Sequence, residues 1–409
     1  MLRRHFRLLR SEPRILSFGA LCAFLSTPGQ TFFIALFVGS FGASAGLNAG
    51  QLGALYLVAT LASASLLPFA GHWIDRIDLR LYVSLVVAAL ALACFSAALA
   101  AGPFGLLLAF LLLRLTGQGL MMHVDVTSIA RYFGANRGLA LSLTAMGFPL
   151  AIGIAPPLTV HLIEVLGWRL TYGAIGVGVL IGAIPVLLWL IWTNGAFYRP
   201  PAATDEQTPP RAWDGLRIVG RTRYFWLALP ILLYMPFAST ALTFHVEAVG
   251  LARGWSRELV ATAFSGFAIG HLAGLFLSGF IVDRLTARVM LPLMNLPLFL
   301  GLSVLALLTH PIALFVFLGC LGLSSGLVQT SVGAVWAEVY GIARLGTIRS
   351  FATMLMVAGT AAGPAMLGYG LDTGFTVPVI CLLLLGYGLI ASILAVFGVT
   401  VRVPQAAGE

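Results

Sequence analysis

The sequence predicts an all-α membrane protein: twelve transmembrane helices in two pseudo-symmetric six-helix bundles, with both termini in the cytoplasm. Three observations predict it. Of 409 residues 60% are hydrophobic and only 9% charged, which leaves too little polar surface for a water-soluble chain of this size. The apolar residues gather into runs close to the about 20 residues that cross a bilayer. A charged pattern that closes the second run returns after the eighth, displaced by 208 residues.

The runs lie near 15–40, 49–71, 81–101, 104–130, 138–163, 170–193, 224–249, 258–282, 289–308, 312–337, 346–370 and 376–401. The first follows an Arg-rich start and is too long for a signal-peptide core, without a convincing small-residue cleavage site, so we expect a retained helix. Thr27-Pro28-Gly29 breaks it. The second ends in the charged stretch GHWIDRIDLR, and the fourth carries the isolated Arg114. The fifth holds Pro156-Pro157, which membrane helices tolerate better than soluble ones. After the sixth comes the longest polar stretch, with Pro200-Pro201, Asp205-Glu206 and Pro209-Pro210. It reads as a cytoplasmic linker, 194–223, between an N-terminal bundle, 1–193, and a C-terminal bundle, 224–409. In the eleventh run Gly359 and Gly363 form a GxxxG pair suited to close helix contact.

All 23 basic residues are Arg. With cytoplasmic termini, the inner segments hold Arg3, Arg4, Arg7, Arg10, Arg14, Arg76, Arg80, Arg131, Arg137, five in the linker, Arg284, Arg288, Arg344, Arg349 and Arg402. The outer loops hold Arg169, Arg253 and Arg257. That asymmetry sets the orientation. The net charge of +9 therefore speaks of topology, and no nucleic-acid partner is expected. Cys22, Cys94, Cys320 and Cys381 sit apart inside apolar runs, the pattern of inert thiols. No cofactor or metal is expected.

Gly71, Asp75, Arg76 and Arg80 recur as Gly279, Asp283, Arg284 and Arg288. Two in-register copies of G-x-x-x-D-R-x-x-x-R in a twelve-run chain resemble the major facilitator superfamily over essentially its whole length. The resemblance implies that these loops form a cytoplasmic gate. Glu338, at the end of the tenth run, resembles the carboxylate partner of Arg284 and Arg288. Arg114-Leu-Thr-Gly117-Gln118-Gly119 is similar to the family's fourth-helix signature. Arg131-Tyr132-Phe133, Arg137 and the Gly-rich fifth run are similar to the monocarboxylate and oxalate/formate branch. The eighth run departs from that branch by offering His271 in place of Asp or Arg.

An ionisable group at lipid depth should face a cavity or a partner. Arg114, Gln118 and Asp125 share one helical face to within about 40°. Arg114 is read as facing an anionic substrate or a proton site, and Asp125 as pairing with Arg76 or Arg80 in the gate. A structural Arg held by backbone carbonyls is the competing reading. His271 is the candidate proton carrier, with packing as its alternative; His123 is read as packing and His245 as a rim residue. Gln30 and Thr31 follow the Pro28-Gly29 break, where freed backbone can bind solutes. Tyr234 in the seventh run, with Gln329 and Trp336 in the tenth, completes the candidate cavity.

The function expected is a secondary transporter of a small solute, proton-coupled by family resemblance, with a small organic anion favoured. No nucleotide-binding loop or hydrolase motif is present in the sequence, so no enzyme is expected. A drug or metabolite efflux antiporter is the alternative within transport, and a transporter-like receptor without flux the alternative outside it. A monomer in the plasma membrane, the inner membrane of a bacterium, is expected.

Overall fold

The computed structural model describes residues 8–192, 194–198, 219–340 and 345–401, with the side chains at 135, 196, 198, 279, 280, 282, 283, 330, 333, 345–347 and 350 outside that description. Among the described residues every regular element is helical. Among the described residues ten helices are long and apolar enough to cross a membrane, or eleven if one bent pair counts as a span. Most of the expected linker lies outside the described residues, as do Arg3, Arg4, Arg7, Arg344 and Arg402.

The bent pair is the first run, α1 (Pro13–Gly29) and α2 (Thr31–Ala45), inclined at 42°. Pro28 supplies no amide hydrogen, and Gln30 is extended at φ −80°, ψ 145°, so the helical ladder stops and restarts. Gly46 closes α2 in the left-handed region, φ 67°, which a glycine enters without steric cost. Then follow α3 (Ala49–Asp75), α4 (Leu79–Ala98), α5 (Gly102–Phe133), α6 (Arg137–Leu166), α7 (Trp168–Ile191) and α8 (Arg223–Phe244). Next come α9 (Arg257–Leu285), α10 (Leu296–Leu307), α11 (Ile312–Tyr340), α12 (Leu345–Asp372) and α13 (Val377–Val399).

The ninth expected run is not a single helix either. Over 289–308 the chain forms the end of a short helix, Ala287–Met290, a turn, and the twelve-residue α10. Pro292 and Pro297 lie at that interruption, where their missing amides stop a continuous ladder.

The chain groups into two compact units, Met1–Asn48 with Leu55–Asp205, and Ala49–Ala54 with Glu206–Glu409. In the first, Phe18 and Cys22 of α1, Val83, Val87 and Leu90 of α4, Val124 of α5 and Leu187 of α7 build a buried core. An aromatic group caps it: Tyr172 lies 4.1 Å from Phe37, and Phe41 lies 5.5 Å from Phe110, centroid to centroid. Two stretches are π-helical, Arg114–Met121 within α5 and Val179–Ala183 within α7. Such widened turns recur at functional sites.

In the second unit glycine brings backbones together. A methyl group at Gly270 of α9 would overlap the Gly319 carbonyl oxygen of α11, and one at Gly322 would overlap that of Phe267. Helices α8 and α12 meet likewise, since a Cβ at Gly363 would stand 2.5 Å from the Phe237 oxygen, in keeping with the close contact expected of the GxxxG pair. Pro364 deprives the Thr360 carbonyl of its helical donor, and the Thr240 hydroxyl donates to it instead at 2.9 Å. Asp372, ending α12, accepts the amides of Ala49 and Gly50 at 3.1 and 2.7 Å, a carboxylate on a helix N-terminus. Leu85, Leu92, Ile181, Leu300, Leu382 and Ile390 are exposed, outward apolar faces suited to lipid.

Candidate functional site

The break between α1 and α2 sets the site of the first unit. Gly29 meets Gly117 so closely that a Cβ on either would fall 2.7 Å or less from the other segment's backbone. This brings the π-helical part of α5 against Gln30 and Thr31. Arg114, only 5% exposed, lies with one guanidinium nitrogen 3.5 Å from the Gly29 carbonyl and 3.4 Å from the Thr31 hydroxyl. Its guanidinium carbon sits 5.1 Å from the centre of the Tyr56 ring, a cation–π contact. The Tyr56 and Thr31 hydroxyls are 2.7 Å apart, and Gln30 donates to Ser26 at 3.0 Å. Arg114 Nε and Gln118 Oε1 are buried without a hydrogen-bond partner. Among the described residues no carboxylate pairs with Arg114. The result is a buried cation with spare donor capacity in a polar niche.

Asp125, further along α5, faces Gly19 of α1, and its expected ion pair with Arg80 is not formed. Its carboxyl is 2% exposed and fits the space left by Gly19, where a Cβ would stand 2.6 Å from Oδ1, close to Thr144 and Ile129. Oδ1 has no hydrogen-bond partner. Arg80, one of its expected partners, turns to Asp78 at 2.8 Å and lies over the Trp192 ring at 5.1 Å. Asp78 is the N-cap of α4, and the Arg80 hydrogen bonds hold its carboxyl below the usual carboxylate range. Arg76 is exposed.

Asp75, at the end of α3, pairs with Arg131 near the end of α5, a partner that sequence reasoning missed. Buried Gly71 presents its carbonyl 3.1 Å from His123 Nε2, which therefore donates; His123 supports the loop as well as packing.

The second unit disperses its candidates. Tyr234 lies wholly buried between Phe299 and Tyr387, at 5.7 and 5.3 Å. Trp336, itself buried, stacks with Tyr340 at 6.1 Å and meets Phe225 at 6.3 Å. His271 stacks on Phe267, 5.8 Å between centroids, where α9 packs against Gly322 and Gly326. Gln329 is exposed on α11. His245 is buried rather than at a rim and donates through Nε2 to the Pro364 carbonyl at 2.8 Å; nearby, Glu247 pairs with Arg257.

In the second loop, Glu338 does not bind Arg288. It accepts the Ala287 amide at 2.7 Å, where a helix starts and an unpaired amide waits. Arg288 donates to the carbonyls of Gly398, at 2.8 Å, and Val401, and lies over the Tyr224 ring at 4.9 Å. Arg80 and Arg288 thus each reach the end of the last helix of their own unit. Arg284 is exposed, and the side-chain positions of Gly279 and Asp283 lie outside the described residues.

Known proteins resemble this arrangement. The family model described as Major Facilitator Superfamily matches residues 16–263. Monocarboxylate transporter 11 of Mus musculus is 26% identical over 276 residues, 63% of this chain and 58% of that protein. The match therefore spans less than two thirds of that relative. A bacterial homologue of the human lysosomal transporter Spinster, inward-facing and occupied, superposes with TM-score 0.65 at 16% identity over 94% of each chain. The nucleoside transporter NupG gives 0.73 at 13% identity, over 95% of this chain and 100% of that one. At these identities the likeness to solved structures speaks for the fold alone.

Proposed function

The chain belongs to the major facilitator superfamily, a family of membrane transporters and not of enzymes, and from that premise we propose that it carries a small organic anion by alternating access. The observation that supports this reading is Arg114, a buried cation whose described contacts are a carbonyl, a hydroxyl and an aromatic face. A buried charge without a counter-ion is costly, and a carboxylate solute would supply the missing charge. Thr31, Gln30, Gln118 and Tyr56 would add hydrogen bonds around it. The likeness to a monocarboxylate transporter points to the same class of solute.

The remaining parts of the proposal follow the family plan. Twelve passes run between cytoplasmic termini, six in 1–193 and six in 224–409, joined by 194–223. His271 takes the coupled proton, and Gln329 and Trp336 contribute from the second half. Gly71, Asp75, Arg76 and Arg80, with Gly279, Asp283, Arg284 and Arg288, control the cytoplasmic gate. The protein works as a monomer in the plasma membrane, the inner membrane of a bacterium.

Counterflow in proteoliposomes loaded with unlabelled short-chain monocarboxylates tests the function. Accumulation of labelled monocarboxylate, enhanced by an inward proton gradient, is the expected result. Monocarboxylate binding without any flux would leave a receptor and overturn the transporter reading.

A further inference from the structure

A groove of about 390 Å³ lies in the first unit between α1, α6 and α7. Gly178 and Gly182 of α7 line it and leave open space where a Cβ would stand. On the α1 side the helix gives way at Pro28. The lining is almost wholly apolar, and the hydroxyl of Thr27, one of its polar residues, is taken by the Phe24 carbonyl. Of the residues that line it, Ile154, Leu158 and Val186 are exposed. In a chain with this many apolar spans, that exposed lining meets acyl chains and not water.

Charge appears at one end. The guanidinium of Arg14 lies over the indole of Trp189, 5.3 Å from its centroid, and Trp189 is 61% exposed. Arg14 shares a helical face with Leu21 of the groove, about 10 Å away along α1. Trp189 lies about one turn beyond Val186 on α7. Tryptophan with arginine at the end of an apolar run marks the depth of lipid headgroups.

We infer that this groove is a binding site for an anionic phospholipid, with one acyl chain between α1, α6 and α7 and the phosphate at Arg14 beside Trp189. Charge complementarity selects the lipid: a zwitterionic headgroup brings its own cation to the arginine, and an anionic one does not. The apolar lining supplies affinity without choosing among headgroups.

The test uses the full-length protein, washed in detergent and offered phosphatidylglycerol or phosphatidylcholine of matched chains, with retained lipid measured by native mass spectrometry. The wild type should retain phosphatidylglycerol about fivefold better, as one basic residue at an anionic surface provides. Gly182→Leu, which fills the groove, should abolish retention of both lipids. Arg14→Gln should keep retention and erase the preference. Glycerol 3-phosphate, the charge without a chain, should not displace the lipid. Equal retention of the two lipids by the wild type, unchanged retention by Gly182→Leu, or displacement by glycerol 3-phosphate would each overturn the assignment. Gly178→Leu fills the same groove and replaces Gly182→Leu in the test if that variant does not fold.

Discussion

Asp75 and Arg131, 56 residues apart in sequence, form an ion pair that ties the end of α3 to the end of α5. Asp75 belongs to the repeated loop pattern and Arg131 to the stretch that precedes α6, so one contact ties together two helix ends of the first unit. Both side chains are partly exposed, and the pair should stabilise the fold by only about 0.5 kcal/mol. Asp75→Asn and Arg131→Gln should each slow turnover more than they weaken substrate binding, with non-additive effects in the double variant. Counterflow rates and binding constants of the three variants check this. Full additivity would mean that the residues act separately.

The contact of α9 with α11 should tolerate no side chain at Gly270. Gly270→Ala forces a methyl against the Gly319 carbonyl, and overpacking of this kind costs about 1–3 kcal/mol. Gly386→Ala meets open space and should be neutral or slightly stabilising, because alanine favours helix. Thermal unfolding in detergent compares the two directly.

Arg288 should act as a clamp on the end of α13. Its bonds to the Gly398 and Val401 carbonyls carry charge, and Arg288→Ala should lose about 2 kcal/mol. Arg288→Lys should recover only part, since an ammonium cannot both lie on Tyr224 and fork to two carbonyls. Hydrogen exchange at the end of α13 should quicken in the order wild type, lysine, alanine.

These contacts show where sequence reading reaches and where it stops. Apolar runs are a local property, so most spans are legible; 289–308 is not, because composition alone does not reveal what Pro292 and Pro297 do to one continuous run. Arg114 stands out as a lone charge amid leucine. Tyr56 does not, since its value comes from the bend at Pro28, which brings Thr31 to its hydroxyl. Glu338 and Arg288 carry opposite charges that suggest a pair, yet helix ends offer unpaired amides and carbonyls, and each side chain hydrogen-bonds to those instead. Asp125 takes the hollow at Gly19, a fit that depends on packing and not on spacing. Nor does any local signal join Asp75 to Arg131.

Acid should weaken the start of α4. The Arg80 hydrogen bonds lower the pKa of Asp78 in the folded chain, so its contribution is present above the unfolded value, about 3.9, and is lost as pH falls through the lower folded value. Asp78→Asn should lower thermal stability slightly in the neutral range, where the ionised carboxylate contributes, and flatten the acid limb so that the two proteins converge below about pH 4. Melting temperature against pH for the two proteins decides it. An identical acid limb would remove Asp78 from the account.

The central claim is that Arg114 binds the anionic group of the solute. Uptake of labelled monocarboxylate into proteoliposomes by wild type, Arg114→Lys and Arg114→Gln tests it most directly, with correctly folded protein confirmed by thermal unfolding. Arg114→Gln should lose at least about tenfold in kcat/KM, the cost of about 1.4 kcal/mol, while Arg114→Lys retains part of the activity by keeping the charge. Uptake by Arg114→Gln equal to that of the wild type would contradict the claim and leave Arg114 as a brace for the α1 break.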